Sequence, residues 1–373
     1  MRKQNSCRKI FTFIASLSVI FLQGVWAEEN KTAWDGGFVD VHMHLDGVQG
    51  RPAMRGRAKM RKQQTDAGDN TTSADHLIAM MDKYGVRKAI VMPPPQTPSQ
   101  RGGYTPYTAL LDSVKKYPGR LILGAGGGEL NPMIHETNAS EVSEEIREAF
   151  KAKASEIVRA GAHVFGEMTA LHICMNPKHH YEATPPDHPL FFLLADLAAQ
   201  YDIPIDLHME AIAEDLPTPK KFRDACDENP PVLSATLPAF ERLLEHNRRA
   251  RIVWQHIGWD NFGQMNPSLF RRLLAKHSNL YLAIKAVPNA ETARMNRIHD
   301  DDYIVLPEWL ELFESFPDRI VVGADEFARA ENTQGGYKKP PFFDATWKTL
   351  MSLPPKLRKQ IGGENAARIY RLM

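Results

Sequence analysis

Two histidines end an apolar strand pattern near the beginning of the chain, in the segment Phe38-Val-Asp-Val-His-Met-His44. Successive side chains of a strand point to opposite faces, so His42 and His44 project to the same side, where both imidazoles can bind one cation. Imidazole and carboxylate donors without thiolates favour a reactive zinc-type centre over a structural thiolate site. Residues that end later predicted strands complete the candidate ligand set: Glu167, His208, His256 and Asp325.

An alternation of strand and helix patterns must position these residues. Several strand patterns are apolar throughout, which suits strands buried on both faces of a parallel sheet. Eight strand and helix units predict a (β/α)8 barrel, that is, a TIM barrel of the α/β class. The predicted strands are residues 38–43, 87–92, 120–125, 162–167, 203–208, 251–256, 279–284 and 319–324, and the main predicted helices are 73–84, 141–160, 189–201, 237–246, 267–277 and 307–316.

The spacing of the candidate ligands agrees with this count of units. His208 lies 41 residues after Glu167 and 48 residues before His256, and each interval is about one unit. The candidates therefore fall on strands 1, 4, 5, 6 and 8, whose C-terminal ends meet at the mouth of a barrel. Three connections longer than a turn needs are expected to cover this mouth: residues 47–72, 93–108 and 169–187.

The first 27 residues have the pattern of a secretory signal peptide. Four basic residues precede an apolar stretch at 10–22, and Val25-Trp26-Ala27 has the small residues of a cleavage site. We expect the mature chain to begin near Glu28, to form one barrel domain over residues 28–373, and to be periplasmic or secreted. An uncleaved membrane anchor is the alternative that the sequence leaves open.

The charge of the mature chain argues against a nucleic-acid partner. Removal of the signal peptide takes away four basic and no acidic residues, so the formal net charge changes from +1 to −3. We therefore expect a small-molecule substrate, no nucleic acid and no membrane association after cleavage, with a homodimer left open. Cys174 and Cys226 remain, and export permits a disulfide, but the sequence does not show whether they meet.

Together these motifs resemble the amidohydrolase superfamily, and within it the amidohydrolase-2 branch. His42-Met-His44 resembles the strand 1 motif of the family, His208 and His256 the histidines of strands 5 and 6, and Asp325 the aspartate of strand 8. The ending Ile361-Gly-Gly-Glu-Asn-Ala-Ala-Arg-Ile-Tyr370 is similar to the closing helix of the branch. The resemblance covers nearly the whole mature chain.

The resemblance implies a metal-dependent hydrolase that attacks an amide, ester or lactone with activated water. It implies that Asp325 accepts the proton of that water and passes it to the leaving group. Glu167 stands where two-metal relatives commonly carry a carboxylated lysine, so one or two ions are implied, with Zn2+ first and Mn2+ or Fe2+ as alternatives. His256 is either a second ligand or a neutral electrophile.

Three basic residues near the expected mouth are candidate substrate contacts. Arg51 lies in the loop after strand 1, Lys285 follows strand 7, and Arg329 follows Asp325 closely. Any of them can bind a carboxylate of the substrate. Solvated loop charges are the alternative for the two arginines.

Two other functional classes stay open at the level of sequence. The branch also contains non-oxidative decarboxylases, although these often carry a glutamate in place of the first strand 1 histidine, and this chain retains His42. A non-catalytic periplasmic binding protein that keeps metal for stability is the remaining alternative. Release of carbon dioxide would identify the first, and ligand binding without turnover would identify the second.

Overall fold

Eight parallel strands form the centre of the fold. In the computed structural model the described residues are 37–45, 70–95, 105–175, 180–289, 295–329 and 341–372. Two of the eight strands consist of two segments each. The strands are β1 (Phe38–Leu45), β2 (Val86–Val91), β3 (Leu121–Leu123 and Ala125–Gly126), β4 (Phe165–His172), β5 (Ile205–Met209), β6 (Ile252–Ile257), β7 (Leu280–Ile284) and β8 (Ile320–Val322 and Glu326–Ala328).

Helices alternate with these strands. The helices are α1 (Asn70–Tyr84), α2 (Leu111–Lys116), α3 (Leu130–His135), α4 (Glu144–Arg159), α5 (Pro189–Tyr201), α6 (Lys220–Ala225), α7 (Leu237–His246), α8 (Pro267–Lys276), α9 (Pro307–Ser315), α10 (Phe342–Met351), α11 (Pro355–Lys359) and α12 (Asn365–Ile369). Short 3-10 turns lie at Tyr107–Leu110 and Ala139–Glu141, and a π-helical turn at Gln360–Glu364 precedes α12.

The strands close into a ring because β3 and β8 each pair with a different neighbour on either side of a break. The first segment of β3 pairs with β2 and the second with β4, while β8 pairs first with β7 and then with β1. Parallel pairing of β1 with β2, β4 with β5, β5 with β6 and β6 with β7 completes the circuit. The predicted (β/α)8 fold is confirmed.

Apolar side chains fill both the barrel interior and the layer between strands and helices. The interior cluster combines strand residues such as Val41 and Val253 with Tyr370 and Leu372 from the end of the chain. The predicted closing helix therefore plugs one end of the barrel. Asn365 attaches it, since its side-chain amide donates to the carbonyl oxygen of Ile320 at 2.7 Å.

Two predicted boundaries differ from the structure for identifiable reasons. The helix predicted at 141–160 begins at Glu144, because the Ser143 hydroxyl caps it by accepting from the Ile146 amide at 3.3 Å. The strand predicted at 162–167 instead spans Phe165–His172, since it continues to pair with β5 and then with the antiparallel segment Glu182–Ala183. Glu167 thus lies inside its strand rather than at the end.

The structure also settles the cysteine pairing that the sequence left open. Cys174 and Cys226 form a disulfide with Cα atoms 5.9 Å apart, which joins the segment after β4 to the end of α6. The predicted signal peptide, Arg51 and most of the loops at 47–72 and 93–108 lie outside the described residues. Within the described ranges, no helix has both the length and the apolar character needed to cross a membrane.

Candidate metal centre

Two imidazole nitrogens meet at the C-terminal half of β1. The Nε2 atoms of His42 and His44 lie 3.1 Å apart. The Nδ1 atom of His42 donates to the Asp206 carboxylate at 3.0 Å, and that of His44 donates to the carbonyl oxygen of Met92 at 2.9 Å. When both rings are neutral, each turns a lone pair toward the same point, which is unfavourable unless a positive charge lies there.

Two carboxylates approach the same point. Glu167 Oε2 lies 3.4 Å from His44 Nε2 and 3.5 Å from His42 Nε2. Asp325 Oδ1 lies 3.3 Å and 3.7 Å from these nitrogens. Burial alone would lower the pKa of His42, yet the charges of Asp206 and Glu167 raise that pKa well above its ordinary value. The carboxylates thus favour a positive charge between the rings.

The other half of the site is built on β5 and β6. Glu167 Oε1 lies 2.9 Å from His208 Nδ1 and 3.3 Å from His256 Nε2. Burial lowers the pKa of His256 to about 3, so this imidazole is neutral. Its Nδ1 atom is buried and has no hydrogen-bond partner among the described residues.

The donor atoms fit one or two divalent cations. Atoms of His42, His44 and Asp325 lie within 4.8 Å of one another, and so do atoms of His42, Glu167 and His256. The nitrogens that face each other, the ionised carboxylates and the orphaned Nδ1 atom all favour a cation. The sixth predicted ligand, His208, reaches the cluster through its contact with Glu167.

Glu167 and Asp325 are both ionised despite their burial. Burial would raise each pKa, but the charge of His42 with hydrogen bonds from His208 and His256 holds the pKa of Glu167 well below its usual range. The Lys285 ammonium does the same for Asp325, whose side chain is 13% exposed. An ionised carboxylate that still meets solvent can accept a proton from water.

The family assignment follows from a match to the whole barrel. The model of the amidohydrolase family (Amidohydro_2) matches residues 39–372. The chain belongs to this amidohydrolase family. A comparison with curated proteins gave no significant match.

Several solved structures align with most of this amidohydrolase at low identity. A 2,6-dihydroxybenzoate decarboxylase complexed with 2,6-dihydroxybenzoate is 13% identical, with 90% of this chain and 99% of its own covered and a TM-score of 0.45. A 5-carboxyvanillate decarboxylase from Novosphingobium aromaticivorans, complexed with manganese and a nitrobenzoic acid, is also 13% identical. The alignment covers 90% of this chain and 97% of that protein, with a TM-score of 0.47. A dihydroorotase from Campylobacter jejuni is 13% identical, with 90% of this chain and 84% of its own covered and a TM-score of 0.44. The family assignment rests on the sequence match.

Two buried aspartates that the sequence reading missed support the ligands of this amidohydrolase. Asp206 accepts from His42, as described, and from the Gln255 amide at 2.6 Å. Asp40 accepts from the backbone amides of His42 and Ala324, each at 3.1 Å. Both lie two residues before a candidate ligand in the same strand, so their side chains share its face. That spacing was the signal available in the sequence.

Burial also changes the charge of these two aspartates. It raises the pKa of Asp40 to about 7 and that of Asp206 to about 6. These carboxylates can therefore gain a proton under mildly acidic conditions, and they orient β1 rather than bind a substrate.

The predicted substrate contacts are found in different surroundings. Lys285 directly follows β7 and is 6% exposed, and its ammonium donates to Asp325 Oδ2. Arg329 directly follows β8 and is partly exposed. A small cavity beside the cluster is lined by His208, Met209, Glu210, Gln255, His256, Trp259 and Met265.

Proposed function

We propose that this amidohydrolase is a divalent-metal-dependent hydrolase that cleaves an amide, ester or lactone bond of a small molecule, including molecules that bear a carboxylate. The observation that carries the proposal is the position of Asp325. One of its oxygens faces the nitrogens of His42 and His44, while the other is held by Lys285. Hydrolysis requires such an ionised base beside the point where a cation and a water would meet.

The residues that would hold one or two cations are those already described. Zn2+ fits the mixed nitrogen and oxygen donors, and Mn2+ and Fe2+ are the alternatives. When bound, a divalent cation lowers the pKa of an adjacent water and polarises a carbonyl group. The proposed ligands are His42, His44, Glu167, His208, His256 and Asp325.

Asp325 would accept the proton of the attacking water and return it to the leaving group. Its low pKa keeps it ionised at neutral pH, and its partial exposure lets water reach it. Neutral His256, whose Nδ1 lies 3.7 Å from Asp325 Oδ2, would serve either as a ligand or as the electrophile that polarises the carbonyl.

The wider setting of this activity is also a proposal. We propose that residues 1–27 direct export and that the mature enzyme works in the periplasm or outside the cell on a small-molecule substrate. The disulfide supports this setting, because such bonds persist in oxidising compartments.

The decisive experiment combines metal analysis with isotopic labelling. The purified mature protein would be analysed for metals, reloaded with Zn2+ or Mn2+, and assayed against matched amides, esters and lactones in 18O-labelled water. We expect one labelled oxygen atom in the carboxylate product, with turnover that needs the metal. His246→Gln, a change at the end of α7 outside the site, is the control for general damage.

Two results would contradict the proposal in different ways. Carbon dioxide released from aromatic acids, with no hydrolysis of any panel member, would indicate a decarboxylase of the same family. Ligand binding without turnover, unchanged in Asp325→Asn, would indicate a binding protein.

A further inference from the structure

Lys285 has an unusual set of partners for a residue at the mouth of a barrel. Its ammonium nitrogen donates to Asp325 Oδ2 and lies 4.3 Å from the ring centre of Trp259 and 4.7 Å from that of Phe342. The side chain is only 7% exposed. The two rings contact each other edge to face, with centres 5.3 Å apart, and the ammonium lies against this aromatic pair while it bonds to the carboxylate.

These contacts leave little of the ammonium available to a substrate carboxylate. Two aromatic rings restrict the directions in which Lys285 can turn, because its charge is attracted to both faces. Its strongest partner, Asp325 Oδ2, lies opposite the oxygen that faces His42 and His44. Lys285 is therefore placed to fix the rotation of the Asp325 carboxylate.

We propose that Lys285 is a positioning residue for Asp325, and that contact with the aromatic pair of Trp259 and Phe342 fixes Lys285 in turn. The inference rests on the proposed function in one respect, since Asp325 is the expected base. With Lys285 in place, Asp325 keeps one oxygen directed at the nitrogens of β1. Without it, the carboxylate can rotate away from that direction.

Steady-state kinetics separate this role from substrate binding. Lys285→Met keeps most of the side-chain volume and removes the ammonium. We expect kcat to fall about 100-fold, as for a reacting group that is misplaced by about 1 Å, while KM changes little. The fall should be equal for a carboxylate-bearing substrate and for its uncharged amide or methyl ester.

Phe342→Leu tests the contact with the aromatic pair without removing the charge of Lys285. It removes one aromatic face and should lower kcat by a smaller factor, about 5-fold, with the same unchanged KM. This variant also keeps the proposal testable if Lys285→Met does not fold. Lys88→Met is the matched control, because Lys88 lies within β2 and donates to the carbonyl oxygen of Leu372, a residue of the interior apolar cluster and not of the candidate ligand set.

A second readout needs no substrate, so the inference can fail separately from the proposed function. The visible spectrum of the cobalt-loaded protein reports the ligand field around the ion. We expect Lys285→Met and Asp325→Asn to change that spectrum and Lys88→Met to leave it as in the wild type. A spectrum altered only by Asp325→Asn would overturn the proposal.

The kinetic result that overturns it is equally specific. If Lys285→Met keeps kcat and raises KM for the carboxylate-bearing substrate alone, Lys285 binds the substrate directly. If kcat falls only in proportion to metal lost from the protein, Lys285 supports the metal cage as a whole. Either result excludes the positioning role.

Discussion

At the scale of single residues, the hydrogen bonds of the two β1 histidines determine which ring nitrogen of each faces the candidate metal centre. His42 and His44 each use Nδ1 in a hydrogen bond, which leaves Nε2 of both rings directed at Glu167 and Asp325. A ring free to flip would present either nitrogen. The hydrogen bonds made by the Nδ1 atoms therefore hold the Nε2 atoms in the orientation needed to bind a cation.

Asp325→Asn tests the role of the base. The amide cannot accept a proton, so kcat should fall by about 100- to 10,000-fold, the range associated with loss of a general base. The measurement is kcat with the metal content of each preparation determined in parallel.

A matched change elsewhere separates this effect from general damage. Asp344→Asn alters an aspartate that pairs with Lys83 at 2.9 Å, and it should keep kcat within about twofold. An Asp325→Asn enzyme that retains its metal and wild-type kcat would exclude Asp325 as the base.

At the scale of elements, the connections between neighbouring units carry polar links that depend on pH. His135, the last residue of α3, donates from Nε2 to the carbonyl oxygen of Thr169 at 2.7 Å and accepts at Nδ1 from the Thr184 hydroxyl at 3.1 Å. Both ring nitrogens of neutral His135 therefore have hydrogen-bond partners. Burial lowers the pKa of His135 to about 4, so the folded protein resists its protonation.

This link predicts a loss of stability in acid. Between the unfolded value of 6.5 and the folded value of about 4, only the unfolded chain binds the proton, so the free energy of unfolding falls as pH falls through that window. We expect His135 to contribute a decrease of about 3 kcal/mol between pH 7 and pH 4. Urea unfolding at several pH values should show a smaller decrease in His135→Gln, and an identical decrease would contradict the assignment.

The disulfide joins two other elements of the rim. It closes a segment with a sequence separation of 52 between the cysteines. A double variant Cys174→Ser, Cys226→Ser should lose about 2 to 4 kcal/mol in the free energy of unfolding, because the unfolded chain gains freedom. Urea unfolding of the non-reduced wild type and the variant measures this difference. No change after removal of the bond would show that the native packing alone holds these segments.

At the scale of the whole molecule, ring closure brings distant parts of the sequence to one point. The Asp325 amide donates to the carbonyl oxygen of His42 at 2.9 Å, which joins the last strand to the first. Gly323 permits this approach, since a Cβ atom there would lie 2.9 Å from the Cβ atom of His42. The ligands on β1 and β8 are therefore adjacent only in the closed barrel.

A cation bound at this junction should stabilise the entire fold. Zn2+ at about 100 times its Kd should raise the free energy of unfolding by about 2.7 kcal/mol, because the unfolded chain lacks the site. Thermal unfolding with and without metal measures the shift in Tm. His42→Ala should abolish most of that shift, and an equal shift in this variant would place the ion elsewhere.

The sequence by itself determined the fold class and the identity of most of the cluster. Strand periodicity and unit spacing are local properties, and they sufficed to predict eight strands and to select His42, His208 and Asp325 as residues that share one end. The family assignment agreed with the same motifs.

Only the tertiary structure decided which groups touch. That Cys174 meets Cys226, that Asp206 orients His42 and that Lys285 bonds to Asp325 all depend on contacts between segments far apart in sequence. The extent of β4 beyond Glu167 was likewise set by pairing with β5 rather than by its own residues. The alternation of residues along a strand predicts which face of the sheet a side chain occupies. The residue that this side chain contacts depends on how the strands are arranged in the closed barrel.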